Sequence, residues 1–327
     1  MLVSSLLTAH CSLLTKKNLL AFSAGIDSSA LFFLLLENSI KFDIAIVDYG
    51  VRAQSKEEVA HAKKLAKKYK LFCHTIEAPG FTNDFEKQAR DFRYGFFDSL
   101  VTVEGYDNLL TAHQLNDQLE WFLMRLSRGA GIGELIGLEA VTQRKNYTLI
   151  RPLLSCSKEE LLHYLDTNHY PYFTDESNND NKYERNRFRH QFADALIAEY
   201  KEGIARSFEY LKRDKEKLDS DFEVVVNKKE LYIIQLHSAN AKVRATDLAL
   251  KRVGYLLSAS QRKEVEKEES LVIGGEWAVE LQDDLLYIAP YQTTVMTKEF
   301  KEQCRTAKIP KKIRPYLFQE NIQLVSS

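Results

Sequence analysis

Between residues 18 and 155, short apolar runs alternate with longer segments in which apolar positions recur every third or fourth residue. The short runs, 18–22, 42–47, 71–76, 108–112 and 147–153, predict strands. The intervening 28–37, 56–69, 85–103 and 116–127 have the spacing or composition of helices. Such alternation predicts an α/β domain, a Rossmann-like parallel sheet with helices on both faces. Right-handed crossovers then bring the loops after the strands to one edge, where such sheets bind ligands. Upstream, the moderately apolar start is broken by His10, Lys16, Lys17 and Asn18. It predicts a short amphipathic helix leading into the first strand, not a signal peptide.

Past residue 155 the pattern changes. Residues 155–169 predict a helix capped by Ser157, with Glu160 completing a capping box. A polar loop at 174–181 and a basic stretch at 182–190 precede one long charged helix over 192–218. Beyond it, 239–257 predicts a helix and 271–290 strands joined by turns. The expected organisation is a catalytic domain at 1–191, a helical connector at 192–218 and a smaller, mainly helical or mixed C-terminal domain at 219–327. No internal repeat or low-complexity tract interrupts it.

Composition narrows the chemistry. The formal net charge is −1, so a global positive field cannot drive nucleic-acid binding, and local basic patches must do so. One candidate is 298–314, with seven basic and two acidic residues. The four cysteines, Cys11, Cys73, Cys156 and Cys304, form no CxxC pair, which argues against a thiolate zinc site or dithiol redox centre. They fit separate thiols in a reducing cytoplasm. The longest apolar stretch, 30–36, is too short to span a bilayer, so no membrane partner is expected.

The first strand runs into Ser23-Ala24-Gly25-Ile26-Asp27-Ser28 and then into a helix. Small residues let the backbone turn tightly and approach an anion, and N–H groups at a helix start point at it. Asp27 would repel phosphate unless a cation lay between them, so it is assigned to Mg²⁺. The bland alternative is a strand-to-helix turn capped by Asp27 or Ser28. No GK[ST] follows, which excludes a Walker A loop. The glycine-rich 128–137 lacks the third glycine of a dinucleotide fingerprint and follows a helix, so it reads as a substrate-facing loop or tight connector.

After the fourth strand, His113, Asp117 and Glu120 share a face if the chain is already helical at His113. An imidazole and two carboxylates at the ligand edge can hold Mg²⁺, orient a nucleophile and bind an ammonium group. In isolation, first-turn acids favoured by the helix dipole would be the better explanation of the carboxylates, and it is the phosphate loop that reverses this.

SAGIDSS resembles the SGGxDS signature of the N-type ATP pyrophosphatases, the PP-loop superfamily, with Ala24 where glycine is usual. Four further segments resemble one family within it, the tRNA(Ile)-lysidine synthases: EKQARDFRYGFF, LLTAHQLNDQLEWFLMRLSRGAGIGEL, IRPLL and DESNNDNKYERNRFRH. The resemblance is good over roughly 15–200 and looser beyond, where the tail looks shortened. It implies a ligase that adenylates C2 of the wobble cytidine in a CAU-anticodon isoleucine tRNA with ATP, then joins free L-lysine there, releasing AMP. By resemblance, Ser23, Ala24, Gly25, Ile26, Asp27 and Ser28 hold ATP, with Mg²⁺ on Asp27 and Asp117. Arg90, Arg93 and Arg189 also face ATP, and Asn186 belongs to the RNxxR motif. Asp27, His113, Asp117 and Arg185 are the catalytic set, Glu120 receives the lysine amine, and the C-terminal domain binds tRNA. Asn116 stands where many relatives carry aspartate, which shifts metal binding to Asp27 and Asp117. A homodimer, a thiolating PP-loop enzyme and a non-catalytic tRNA-binding relative stay open.

Overall fold

The computed structural model describes residue 7 and residues 10–50, 53–81, 85–174 and 184–323. It divides into two compact units, Met1–Lys212 and Arg213–Ser327. In the first, helix α1 (Cys11–Leu14) leads into β1 (Asn18–Ala21), α2 (Ile26–Glu37), β2 (Phe42–Asp48), α3 (Ala53–Tyr69), β3 (Cys73–Glu77), α4 (Phe85–Glu104) and β4 (Asn108–Leu110). Helices α5 (Leu115–Leu126) and α6 (Ile132–Leu135), strands β5 (Val141–Gln143) and β6 (Thr148–Ile150) and helix α7 (Lys158–Thr167) follow. The six strands lie in the order β3-β2-β1-β4-β6-β5. All neighbours pair in parallel except the short edge strand β5, which runs antiparallel to β6. The sequence pattern marks neither β5 nor the one-turn α6.

The apolar runs are buried because the sheet is covered. Helix α2 is apolar nearly all round, and Ala30–Leu35 have almost no exposed surface. Phe32 packs edge-on against Phe33, Phe42 and Tyr69. A second cluster, built on Leu19, Ala45, Phe97, Leu109 and Leu149, lies on α4. Buried amides lock the strand starts: Asn108 Nδ2 donates to Asn18 Oδ1 (2.9 Å), and Asn18 Nδ2 donates to the Lys41 carbonyl (2.8 Å). Strand order reverses between β1 and β4, whose other neighbours lie on opposite sides. The loops leaving their C-terminal ends therefore flank one crevice, the position where open α/β sheets bind ligands.

The polar loop expected at 174–181 and the start of the basic stretch lie largely outside the described residues. Helix α8 (Glu184–Phe188) then passes through a π-helical turn, Arg189–Ala193, into α9 (Asp194–Asp219), which is kinked at Tyr200. The unit boundary falls inside α9.

The second unit holds an antiparallel sheet in the order β7-β8-β11-β10-β9: β7 (Phe222–Lys228), β8 (Leu231–Leu236), β9 (Ser270–Ile273), β10 (Trp277–Gln282) and β11 (Leu285–Pro290). Helices α10 (Lys242–Arg252) and α11 (Ala259–Lys267) cover one apolar face. Helices α12 (Lys298–Thr306) and α13 (Arg314–Gln319) supply Cys304, Tyr316 and Leu317 to a second cluster. The hairpin β7–β8 went unpredicted because Glu223, Lys228, Lys229 and Glu230 mask its alternation. Among the described residues no helix is long and apolar enough to cross a membrane.

Candidate active site

Ala24 is fully buried and adopts φ +61°, in the left-handed region. An L-residue there costs about 1–2 kcal/mol. Gly25, by contrast, has an ordinary φ of −75° as the residue preceding α2. The position that requires glycine's freedom is thus the one where this chain carries alanine. The loop is held from both sides: Phe173 N donates to the Ala24 carbonyl (2.8 Å), and Ser29 Oγ donates to the same oxygen (3.2 Å). Ser23 Oγ and Ser28 Oγ are 3.0 Å apart, and Ser28 Oγ also donates to the Gly25 carbonyl (3.2 Å).

No side chain caps α2. The capped-turn alternative therefore fails, and the first N–H groups of a twelve-residue helix are presented at the crevice. Asp27 stands in that first turn. Its Oδ1 is buried without a hydrogen-bond partner. Burial, reinforced by the Asp117 carboxylate, pushes its pKa up to about 7 against the opposing pull of Lys158 and Arg189.

Across the crevice, α5 begins at Leu115, so His113 precedes the helix rather than sharing its face. The chain is extended at Gln114 and turns helical only afterwards, because Gln114 and Asp117 form a capping box. His113 Nδ1 lies 3.0 Å from Thr111 Oγ1. Burial, opposed by Asp117 and aided by Arg151, Arg185 and Arg90, pulls the imidazole pKa down to about 4. His113 is therefore neutral at neutral pH.

Asp117 and Glu120 do share a face, and both are buried. They meet Arg185 and Arg189 in a tight tetrad. Asp117 Oδ1 accepts from Arg185 Nη2 (3.0 Å) and Arg189 Nη2 (3.1 Å). Glu120 Oε1 accepts from Arg185 Nε, and Glu120 Oε2 from Arg189 Nε (3.0 Å). Burial alone would raise Asp117, but Arg185, His113 and Arg189 outweigh it and hold its carboxyl below the ordinary range. The arginines come from elements some 65 to 72 residues away in sequence. Arg189 itself opens the π-helical turn that leads into α9, a common placement for such turns at functional sites.

Arg93 hydrogen-bonds the Tyr49 hydroxyl, and Tyr49 follows β2 at the same edge of the sheet. The Arg90 guanidinium lies 5.0 Å above the Tyr94 ring and close enough to His113 to depress its pKa. Asn116 is not at the crevice's charged centre. Its Nδ2 donates to Asp194 Oδ1 (2.8 Å), and its Oδ1 accepts from Lys158 N (3.2 Å). It braces α5 against α7 and α9. The glycine-rich connector is held against α5: Trp121 Nε1 donates to the Glu134 carbonyl (2.8 Å), and a Cβ on Gly137 would lie 2.2 Å from that nitrogen.

Sequence reasoning passed over four contributors. Thr111 orients His113, and Phe173 braces the loop. Lys158 adds positive potential at Asp27. Arg151, buried, donates from Nη1 to the Glu139 carbonyl (2.7 Å) and adds positive potential at His113. Of these, Thr111 and Arg151 carried a signal, as members of the LLTAHQLNDQLEWFLMRLSRGAGIGEL and IRPLL segments.

Among the described residues no group of three or more histidine, cysteine, aspartate or glutamate side chains is spaced to hold a metal. Mg²⁺ is commonly bound by one or two carboxylates together with substrate phosphates, and of the two candidate carboxylates Asp117 is engaged at both oxygens, Oδ1 by Arg185 and Arg189 and Oδ2 by Gln114 N (3.1 Å). Asp27 Oδ1, buried and without a hydrogen-bond partner, is open to a cation.

Residues 4–196 match the family model described as the PP-loop domain. The chain is 45% identical over 95% of its length to the tRNA(Ile)-lysidine synthase of Campylobacter jejuni, covering 95% of that protein. It is 42% identical to that of Wolinella succinogenes, with 94% of each chain covered. For Helicobacter pylori the figures are 41%, 93% and 90%. Among solved structures, a U34-tRNA thiolase from Methanococcus maripaludis superposes with a TM-score of 0.50 over 60% of this chain and 71% of that one, at 18% identity, a likeness of fold. The bare helix start behind Ala24, the acids facing it across the β1–β4 crevice and the near full-length identity converge: the chain belongs to the tRNA(Ile)-lysidine synthase family of PP-loop enzymes.

Proposed function

We propose that this enzyme is a carbon–nitrogen ligase that joins L-lysine to C2 of the wobble cytidine in a CAU-anticodon isoleucine tRNA at the expense of ATP. The observation that carries this is the 45% identity to a lysidine synthase over 95% of both chains. In the first step the C2 carbonyl oxygen attacks the α-phosphorus and pyrophosphate leaves. In the second the lysine ε-nitrogen attacks C2, the C2–O bond breaks, AMP leaves and the amine loses a proton. Activation is needed because a carbonyl oxygen is a poor leaving group until adenylated. The reaction changes the codon read from AUG to AUA.

The unpaired N–H groups at the start of α2 suit the departing pyrophosphate. Asp27 and Asp117 would hold Mg²⁺, which supplies charge neutralisation on the phosphates. Arg90, Arg93 and Arg189 are assigned to ATP, and Arg185 to charge developing during the transfer. Neutral His113 can accept a hydrogen bond or proton from the incoming amine. Glu120 is assigned to the lysine ammonium. Both its oxygens already accept from arginine, so lysine would bind it by exchange within the tetrad. Residues 219–327 are assigned to tRNA binding, and the reaction to the cytoplasm. A thiolating role is disfavoured by the cysteines: Cys156 and Cys304 are buried, and burial pushes the Cys156 thiol up to about 12.

Incubation with ATP, Mg²⁺, labelled lysine and the isoleucine tRNA, followed by nucleoside analysis, tests the reading. Labelled lysidine with stoichiometric AMP and pyrophosphate is expected. Pyrophosphate release with no lysine in the nucleoside would sink it.

A further inference from the structure

At the edge of the first unit's sheet opposite the active site lies a cavity of about 640 Å³. It opens between the starts of β1 and β2 and the ends of α2 and α3, and the mechanism does not use it. Lys16, Lys17, Lys41 and Lys70 line it, all exposed, against a single acid, Asp43. That acid is spent internally: its Oδ1 accepts from Phe72 N (2.8 Å) and its Oδ2 from the Tyr106 hydroxyl (2.8 Å). Lys17 is also partly engaged, its Nζ donating to the Glu104 carbonyl (2.6 Å) and lying 4.4 Å above the Tyr106 ring. Phe72, on the rim, leaves 74% of its surface in solvent although it follows a turn of only two residues after α3. The positive surface continues along α3, where Lys63, Lys64, Lys67 and Lys68 are exposed.

Lysines at a helix C-terminus complement its dipole, which accounts for Lys67, Lys68 and Lys70. It does not account for Lys16 and Lys41, which precede strands, nor for an exposed phenylalanine among them. Ammonium groups in a row with an aromatic face are the pattern that binds a nucleic-acid backbone and stacks a base. We propose that this cavity and the α3 lysines form a second RNA-binding surface that grips tRNA phosphates outside the anticodon loop, with Phe72 as a stacking platform. The seven residues of β2 separate this edge from the active site by about 23 Å. A tRNA whose wobble base is in the crevice reaches the patch only with nucleotides several phosphates away. The proposal rests on the substrate reading above and adds where that substrate is held.

The test measures binding of an unmodified isoleucine tRNA transcript by fluorescence anisotropy across a salt series, together with steady-state lysine incorporation. For Lys16→Glu/Lys41→Glu/Lys70→Glu, the slope of log affinity against log salt is expected to fall by about two to three. Affinity at 0.1 M salt is expected to drop at least about tenfold. KM for tRNA should rise, while kcat at saturating tRNA and KM for ATP stay unchanged. Phe72→Ala should weaken binding about tenfold with the salt slope intact, since stacking releases no counterions. The matching Lys→Gln triple variant separates charge from folding, and Lys→Arg should restore binding. An unchanged salt slope and tRNA KM in the charge-reversed protein would overturn the proposal. So would parental binding to phosphatidylglycerol vesicles that the reversal abolishes while tRNA binding persists. Lysine incorporation by the parent protein judges the substrate reading separately from either outcome.

Discussion

Replacing Asp27 by asparagine should make the metal-free protein more stable at alkaline pH while destroying its activity. The native fold raises Asp27 from 3.8 to about 7, so between those values the folded protein retains a proton that the unfolded chain has lost. Stability then falls as pH rises through that window, since the folded state binds more protons. A shift of about three pH units corresponds to about 4 kcal/mol at pH 8, as an upper bound. Asp27 as a residue is only half-buried, and solvent screening reduces this toward about 2 kcal/mol. Asparagine has nearly the same shape and no charge to desolvate, so Asp27→Asn removes the penalty. Urea unfolding in EDTA at pH 4.5 and pH 8.5, followed by Trp121 fluorescence in a Trp277→Phe background, reads the unit that holds the site. The variant should exceed the parent by about 1 kcal/mol at pH 4.5, where the unfolded carboxyl has already lost most of its proton, and by about 2 kcal/mol at pH 8.5. Formation of AMP and pyrophosphate should be lost at both. A stability difference that stays flat with pH, or a variant weaker than the parent at pH 8.5, would refute the reasoning.

Four further substitutions probe the geometry. Ala24→Gly removes about 1–2 kcal/mol of left-handed strain but also a buried methyl worth about 0.8 kcal/mol and some chain stiffness, so the melting temperature should barely move. Ala24→Val, β-branched at the same φ, should cost about 2 kcal/mol or more; equal melting temperatures for the two would contradict the strain. Asn116→Asp would oppose Asp194 Oδ1 with a second carboxylate and lose the donor between them, a cost of about 1–3 kcal/mol at pH 7 that thermal unfolding at acid pH should recover. Glu120→Ala strips a buried partner from Arg185 and Arg189, costing about 3 kcal/mol, and should raise KM for lysine more than KM for ATP; an unchanged lysine KM would remove the ammonium assignment.

The sequence by itself determined the parallel α/β unit, because a sheet buried on both faces demands apolar strands spaced by amphipathic helices, and that periodicity survives in one dimension. It determined the phosphate loop too, since the small residues between β1 and α2 are contiguous. The capping box at Ser157 and Glu160 is equally local, and it forms as read. Tertiary structure alone decided how the charges pair. Arg185 and Arg189 reach Asp117 and Glu120 across more than sixty residues, and no local spacing encodes that contact. It decided that His113 precedes its helix, because a capping box between Gln114 and Asp117 sets where the helix starts. It made Asn116 a brace between helices, since its partners, Asp194 and Lys158, converge only when three helices pack. It also turned Ala24 into a strained residue: an alanine carries no mark of its φ, which the strand behind it, the helix ahead of it and the Phe173 amide together impose.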